Sequence, residues 1–274
     1  MTDLSVLFKS IALPVMPEVG LALIATLDDE DAPMSRIQAL IARDPALTTK
    51  LLALANSAAF GLRRKVSTLE NALSLVGMSK LRTLALSACL HNAFSVPDGI
   101  DAQSFWIYSM DCAGYAQWLC GGLGPGRDVD AQKAWLTGLM LRLGELLIAQ
   151  AFPKEVEAIE AKPCPPGERW AREKEHAGFD EGEVTAELAR RWNFPSDVVH
   201  ALLLASDPLA ETPITPLAGI LHLAGRLADV PDANASTIDQ LPVPVMAALE
   251  LKYGWMQAQF PDAGSFINIS SLAS

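Results

Sequence analysis

Apolar residues recur three and four positions apart along most of the chain. Ile37, Leu40 and Ile41 make one such stripe, and Leu47, Leu51, Leu52, Leu54 and Ala55 make another. That spacing gathers them on one face of a helix, because 3.6 residues complete a turn. No run of strand-type alternation and no Asn-Gly hairpin signal interrupts the pattern. It predicts an all-α protein.

Local signals divide the helices. Asp44 before Pro45 fits an N-cap followed by a first-turn proline. Ser67-Thr-Leu-Glu70 has capping-box spacing, with Ser67 as the expected cap and Glu70 reaching back. Gly77 then ends a short helix before Ser79-Lys80 opens the next. Pro97-Asp-Gly99 breaks the pattern and suggests a boundary between an N-terminal helical lobe (1–97) and a second lobe with a C-terminal helical extension (98–274). Gly121-Gly-Leu-Gly-Pro-Gly126 reads as a flexible linker between two long helices. It has neither the Gly-Lys-Ser/Thr of a phosphate loop nor the GxGxxG of a dinucleotide fold. Pro163-Cys-Pro-Pro-Gly167 is a further breaker, and 228–241 is a polar loop.

Charge changes the picture in two ways. The chain carries 21 basic and 32 acidic side chains, for a net charge of -11. A phosphate backbone rewards clustered positive charge, so nucleic acid is an unfavoured partner. The excess is also one-sided, since residues 1–100 hold nine of each sign. Against this acidic background Arg63, Arg64 and Lys65, with Lys80 and Arg82 beyond the next helix, form the one basic cluster. It is either a solvated loop or a patch that docks an acidic partner or a phosphate. Cys89, Cys112, Cys120 and Cys164 have no CxxC pairing. Without a signal-peptide pattern, they read as reduced thiols of a cytoplasmic protein. The apolar runs are too short to cross a bilayer, which needs about 20 residues.

Few residues suggest chemistry. His91, His176, His200 and His222 share no metal-ligand spacing, and no serine, threonine or cysteine stands in a nucleophile motif. His222, within Leu-His-Leu-Ala, reads as structural, and His176 as solvated. Asn56 and Ser57, at the end of an apolar helix, are expected to cap the following turn, with Phe60 packed beneath. The six tryptophans fall mostly at core positions.

Several motifs, in order and at matching distances, carry a resemblance. They are Leu13-Pro14-x-x-Pro17, Asp44-Pro45-x-Leu47, Ala55-Asn56-Ser57-Ala58-x-Phe60 and Ala72-Leu73-x-x-x-Gly77. Phe105-Trp106-x-Tyr108-Ser109, Gly138–Leu147, Gly178-Phe-Asp-Glu181 and Trp192-Asn193-Phe194-Pro195 continue it. Together they are similar to HDOD domains, the HD-related output domains of bacterial signalling, over roughly residues 10–230. Gly138-Leu-Met-Leu141-Arg142-Leu-Gly-Glu-Leu-Leu147 looks like the helix that bears the His-Asp pair of metal-dependent HD phosphohydrolases.

Carried over position by position, the resemblance puts the early histidine of those enzymes at Tyr108 and the His-Asp pair at Leu141 and Arg142. The next histidine falls at Glu181 and the later paired histidines near Ala205 and Ser206. The final aspartate falls near Gly225, with Asp229 one turn away. Of these positions only Glu181 is a plausible ligand, and one carboxylate falls short of the three or more protein ligands that a catalytic metal takes. Arg142 and Glu181 would converge, and so are expected to form an ion pair in the vacated site.

The resemblance therefore implies a module with neither cofactor nor metal and no catalysis. It would act through contacts with signalling proteins, such as receiver or cyclic-di-GMP-turnover modules. Two alternatives stay open. One is a sensor that binds a nucleotide or other small anion in the old pocket, with Arg142 as the anion contact. The other is a residual phosphohydrolase using non-standard ligands.

Overall fold

The computed structural model describes residues 4–27, 33–56, 65–161, 163–262 and 266, and none of them is in a strand. The first lobe holds α1 (Leu4–Ser10), α2 (Glu18–Ile24), α3 (Met34–Ala42), α4 (Pro45–Ala55), α5 (Leu69–Val76) and α6 (Met78–Ala93). Helices α2 to α5 pack around α6, whose residues 83–90 are all buried. A helix that is apolar all round belongs in a core, and α6 is the shared post of the molecule. Its far side meets α8 of the second lobe.

That lobe comprises α7 (Ala102–Leu119), α8 (Ala131–Met140), α9 (Leu143–Ala151), α10 (Pro153–Glu160), α11 (Arg169–His176), α12 (Glu181–Arg191), α13 (Ser196–Leu203) and α14 (Pro216–Ala228). Helix α7 lies between α8 and α14, while α12 packs on α9 and α13. A short 3-10 turn (Ala235–Gln240), α15 (Val243–Ala248) and α16 (Tyr253–Ala258) follow. The lobes are joined by more than α6. Although first in the chain, α1 packs on α9, and Arg191 lies over the Phe8 ring at 4.4 Å. His91 stacks on Trp106 at 4.6 Å. Among the described residues no single helix is long and apolar enough to cross a membrane.

Helix ends follow the sequence signals with one shift. Asp44 accepts the Leu47 N–H at 2.9 Å, as expected. The cap of α5, however, is Thr68 and not Ser67. Thr68 holds the extended backbone a cap needs and accepts the Asn71 N–H at 3.2 Å. Glu70, one place too early to close a box on Thr68, accepts instead from Gln38 at 2.6 Å. Asn56 takes the Val66 N–H and donates to the Val66 carbonyl, both at 2.7 Å, so it clamps the turn after α4. Ser57 and Phe60 lie outside the described residues.

The glycine loop after α7 is not a free linker. Lys252 donates its N–H to the Gly122 carbonyl at 3.1 Å, and Gly124 donates to Leu249 at 3.2 Å. A Cβ on Gly121 or Gly122 would stand 2.8 Å or 2.7 Å from the Trp255 ring. Trp255 also stacks on Trp118 at 5.6 Å, with Phe260 edge-on to Trp118 at 5.2 Å. The glycines are there so that the C-terminal segment can approach the backbone.

The basic cluster also changes on folding. Arg63 and Arg64 lie outside the described residues, and Lys65 is exposed. Lys80 lines a small cleft with Trp135. Arg82 is turned inward, with Nε buried and Nη1 donating to the Thr26 carbonyl just past α2. It ties α6 to α2 by satisfying a helix-end carbonyl.

Candidate functional site

Leu141 and Arg142 occupy the break between α8 and α9, which Thr185 of α12 pins down. The Thr185 hydroxyl lies 3.1 Å from the Leu141 carbonyl and 2.8 Å from that of Glu181, and it accepts the Gly144 N–H at 2.8 Å. A Cβ on Gly144 would sit 2.1 Å from the Glu181 carbonyl oxygen, so only glycine lets the starts of α9 and α12 meet. That close approach brings Arg142 onto Glu181.

Arg142 sits over the Tyr108 ring, 3.0 Å from its centroid. Its Nε donates to Glu181 Oε2 at 3.2 Å and its Nη2 to Asp229 Oδ1 at 2.8 Å, with Glu145 at 3.8 Å. The expected Arg142–Glu181 pair is thus one edge of a larger set. Trp170 Nε1 takes the other Glu181 oxygen at 3.0 Å, and the Gly167 N–H takes the other Asp229 oxygen at 3.0 Å. A second arginine, Arg169, joins from α11. It lies 2.9 Å from Glu145, 3.0 Å from Glu173, 3.5 Å from Glu181 and 2.5 Å from Glu160. Glu173 returns an oxygen to the Glu181 N–H at 2.7 Å.

Burial dominates the electrostatics. Glu181 and Glu173 are 0% and 1% exposed. Burial pushes the Glu181 carboxyl up to about 7, although Arg142 and Arg169 pull it down. Glu173 is raised well above the usual carboxylate range, by burial first and then by the neighbouring Glu181 charge. Burial likewise holds the Tyr108 phenol neutral. A cavity of about 290 Å³, lined by Asp101, Ser104, Arg142, Glu145, Glu160 and Arg169, leads from solvent to the set.

The structure brings Tyr108, Leu141, Arg142 and Glu181 together, with Leu141 fully buried. Of the two candidates for the final position, Asp229 reaches Arg142, while a Cβ on Gly225 would face Tyr108, Trp170 and Leu141. Ala205 stands one layer back. Its carbonyl accepts from His222 Nδ1 at 2.8 Å, and the His222 ring packs on Trp170 at 5.1 Å. Burial lowers His222 to about 4, which keeps it a neutral structural group. Ser206 lies to the side, bound by Lys174 at 3.2 Å. The sequence reading missed Arg169, Trp170, Glu145 and Glu173. Positions 169, 170 and 173 share one face of α11, and the tryptophan there was the available sign that this face is inward.

This donor set does not fit a divalent metal. Leu141 has no lone pair, and the Arg142 guanidinium brings a positive charge into the middle of the carboxylates. The Glu181 and Asp229 oxygens already accept from Arg142, Trp170 and Gly167. Among the described residues no three His, Cys, Asp or Glu side chains are placed to hold a metal ion.

Comparison with known proteins agrees on the family. The HDOD domain model matches residues 13–208. An uncharacterised protein of Treponema pallidum (strain Nichols) is 27% identical over 196 residues, which is 69% of this chain and 37% of that protein. This chain therefore matches little more than a third of its curated relative. A solved structure from Shewanella amazonensis SB2B, named "Putative phosphohydrolase", superposes with a TM-score of 0.79 at 26% identity, covering 99% of this chain and 97% of that one. An HDOD domain protein with unknown function from Geobacter sulfurreducens has the same fold, with a TM-score of 0.71 at 18% identity and coverage of 98% and 92%. The motifs, the helical architecture and the match over most of the chain converge, and the chain belongs to the HDOD domain family.

Proposed function

We propose that this chain is a non-catalytic output or scaffold module of bacterial signal transduction, acting through contacts with other signalling proteins. One observation carries the reading. The Arg142 guanidinium is paired with Glu181 and Asp229, at the position that the resemblance equates with a metal-binding aspartate of the HD hydrolases. A fixed cation at that position disfavours the metal that would activate a water. What remains is a packed helical body whose surfaces can present contacts. Receiver and cyclic-di-GMP-turnover modules are the partner classes to try first, as the company that such domains keep. The anion-sensor reading is less favoured, because Arg142 Nε and Nη2 already donate to protein carboxylates.

The name borne by the Shewanella protein makes hydrolysis the alternative to test. Protein purified without chelator is assayed for bound metal by elemental mass spectrometry and for cleavage of a generic phosphodiester. The expected result is metal far below one equivalent and no cleavage above background. Stoichiometric metal with turnover would overturn the proposal.

A further inference from the structure

A second cavity, of about 360 Å³, lies against α7, and neither Arg142 nor Glu181 lines it. Ser104, Ile107, Tyr108, Asp111 and Tyr115 supply its α7 wall, and steps of three and four residues put them on one face of that helix. The turn after α14 adds Asp232, and the C-terminal segment adds Asp262 and Phe266. The volume falls within the range of small-molecule sites, roughly 300–1,000 Å³.

The lining is negative, and nothing in it answers that charge. Among the described residues, Asp111, Asp232 and Asp262 line the cavity and no Lys, Arg or His does. Nor does any of the three carboxylates have an ion pair or a hydrogen bond among those residues. Asp232 and Asp262 are exposed, whereas Asp111 is half-buried. Burial raises the Asp111 carboxyl above its ordinary range, and no cation pulls it back. A carboxylate taken out of water normally has a partner. The C-terminal segment cannot bring one, because residues 253–274 contain no Lys, Arg or His.

The hydroxyls of the same wall point to a ligand independently. Tyr108 and Tyr115 are 6% and 7% exposed, yet neither hydroxyl has a hydrogen-bond partner among the described residues. Buried polar groups are ordinarily satisfied. Both side chains line the cavity, as does the Phe266 ring, 4.9 Å from that of Tyr115. Aromatic faces attract organic cations, and Ile107, 45% exposed, adds apolar surface. A divalent metal is a poor match, since no three of the described carboxylates are placed to hold one. We propose that this cavity binds a small organic cation, an amine with an apolar body, whose ammonium group pairs with Asp111. The inference is independent of the reading of Arg142.

The test is heteronuclear NMR of the full chain at physiological salt, titrated in turn with phenethylamine, tryptamine and benzyltrimethylammonium. At least one should shift the amides of residues 104–115 and 230–233, with a dissociation constant below about 1 mM. The anion of matching size, 3-phenylpropionate, should leave them in place. Asp111→Asn should weaken the bound amine at least about tenfold, through loss of the charged pair. Failure of all three amines at about 10 mM, shifts confined to other residues, or equal binding of 3-phenylpropionate would overturn the site. Unchanged affinity in Asp111→Asn would overturn the pairing. Should that variant fail to fold, the wild-type contrast of cation and anion still decides.

Discussion

Arg142 holds the buried Glu181 carboxylate and the half-buried Asp229 carboxylate, which lie 39 and 87 positions from it in the chain. Replacing it with alanine leaves Glu181 and Asp229 without their main counter-charge, which for a buried pair costs about 3–5 kcal/mol. Denaturant unfolding of Arg142→Ala should show that loss, and a change below about 1 kcal/mol would refute the assignment. Arg142→Lys should recover only part, since a single ammonium cannot reach both carboxylates while lying over Tyr108. The pair with Glu181 was legible in the sequence, because both residues replace groups that converge in the related enzymes. Arg169 was not. Its partners Glu145 and Glu173 look like the solvated charges of any surface helix, and only packing makes them core residues.

Whole helices were more legible than their ends. The 3.6-residue apolar rhythm located α3 and α4, because burial enforces that period wherever one face is covered. The α5 cap slipped by one residue, since Ser67 and Thr68 offer the same hydroxyl and only the backbone decides which one bends to the helix. Thr68→Ala should therefore cost about 1 kcal/mol in thermal unfolding, and Ser67→Ala close to nothing. Equal effects would mean that the cap is misassigned. The glycine run after α7 misled for a different reason. Glycine serves both flexibility and close approach, and the ring that approaches, Trp255, lies over 130 residues further on.

Across the molecule, the C-terminal segment acts as a brace over the second lobe. Trp255 is its anchor on Trp118 and the glycine loop. Trp255→Ala should remove about 2 kcal/mol and open residues 235–262 to limited proteolysis, while α7–α14 stay protected. Cleavage no faster than in the wild type would show the brace is held elsewhere. The acid excess of residues 101–274 has an internal share as well, because Glu145, Glu173 and Glu181 sit in the core of the second lobe. That burial reaches into the lineage's future. If Arg142 were replaced, Arg169 would be left to balance Glu145, Glu173 and Glu181, and Asp229 would lose its arginine. Such a variant would be poorly folded, so selection would remove it. A substitution at position 142 can therefore persist only alongside a compensating change at Glu181 or Asp229, positions far from it in the chain.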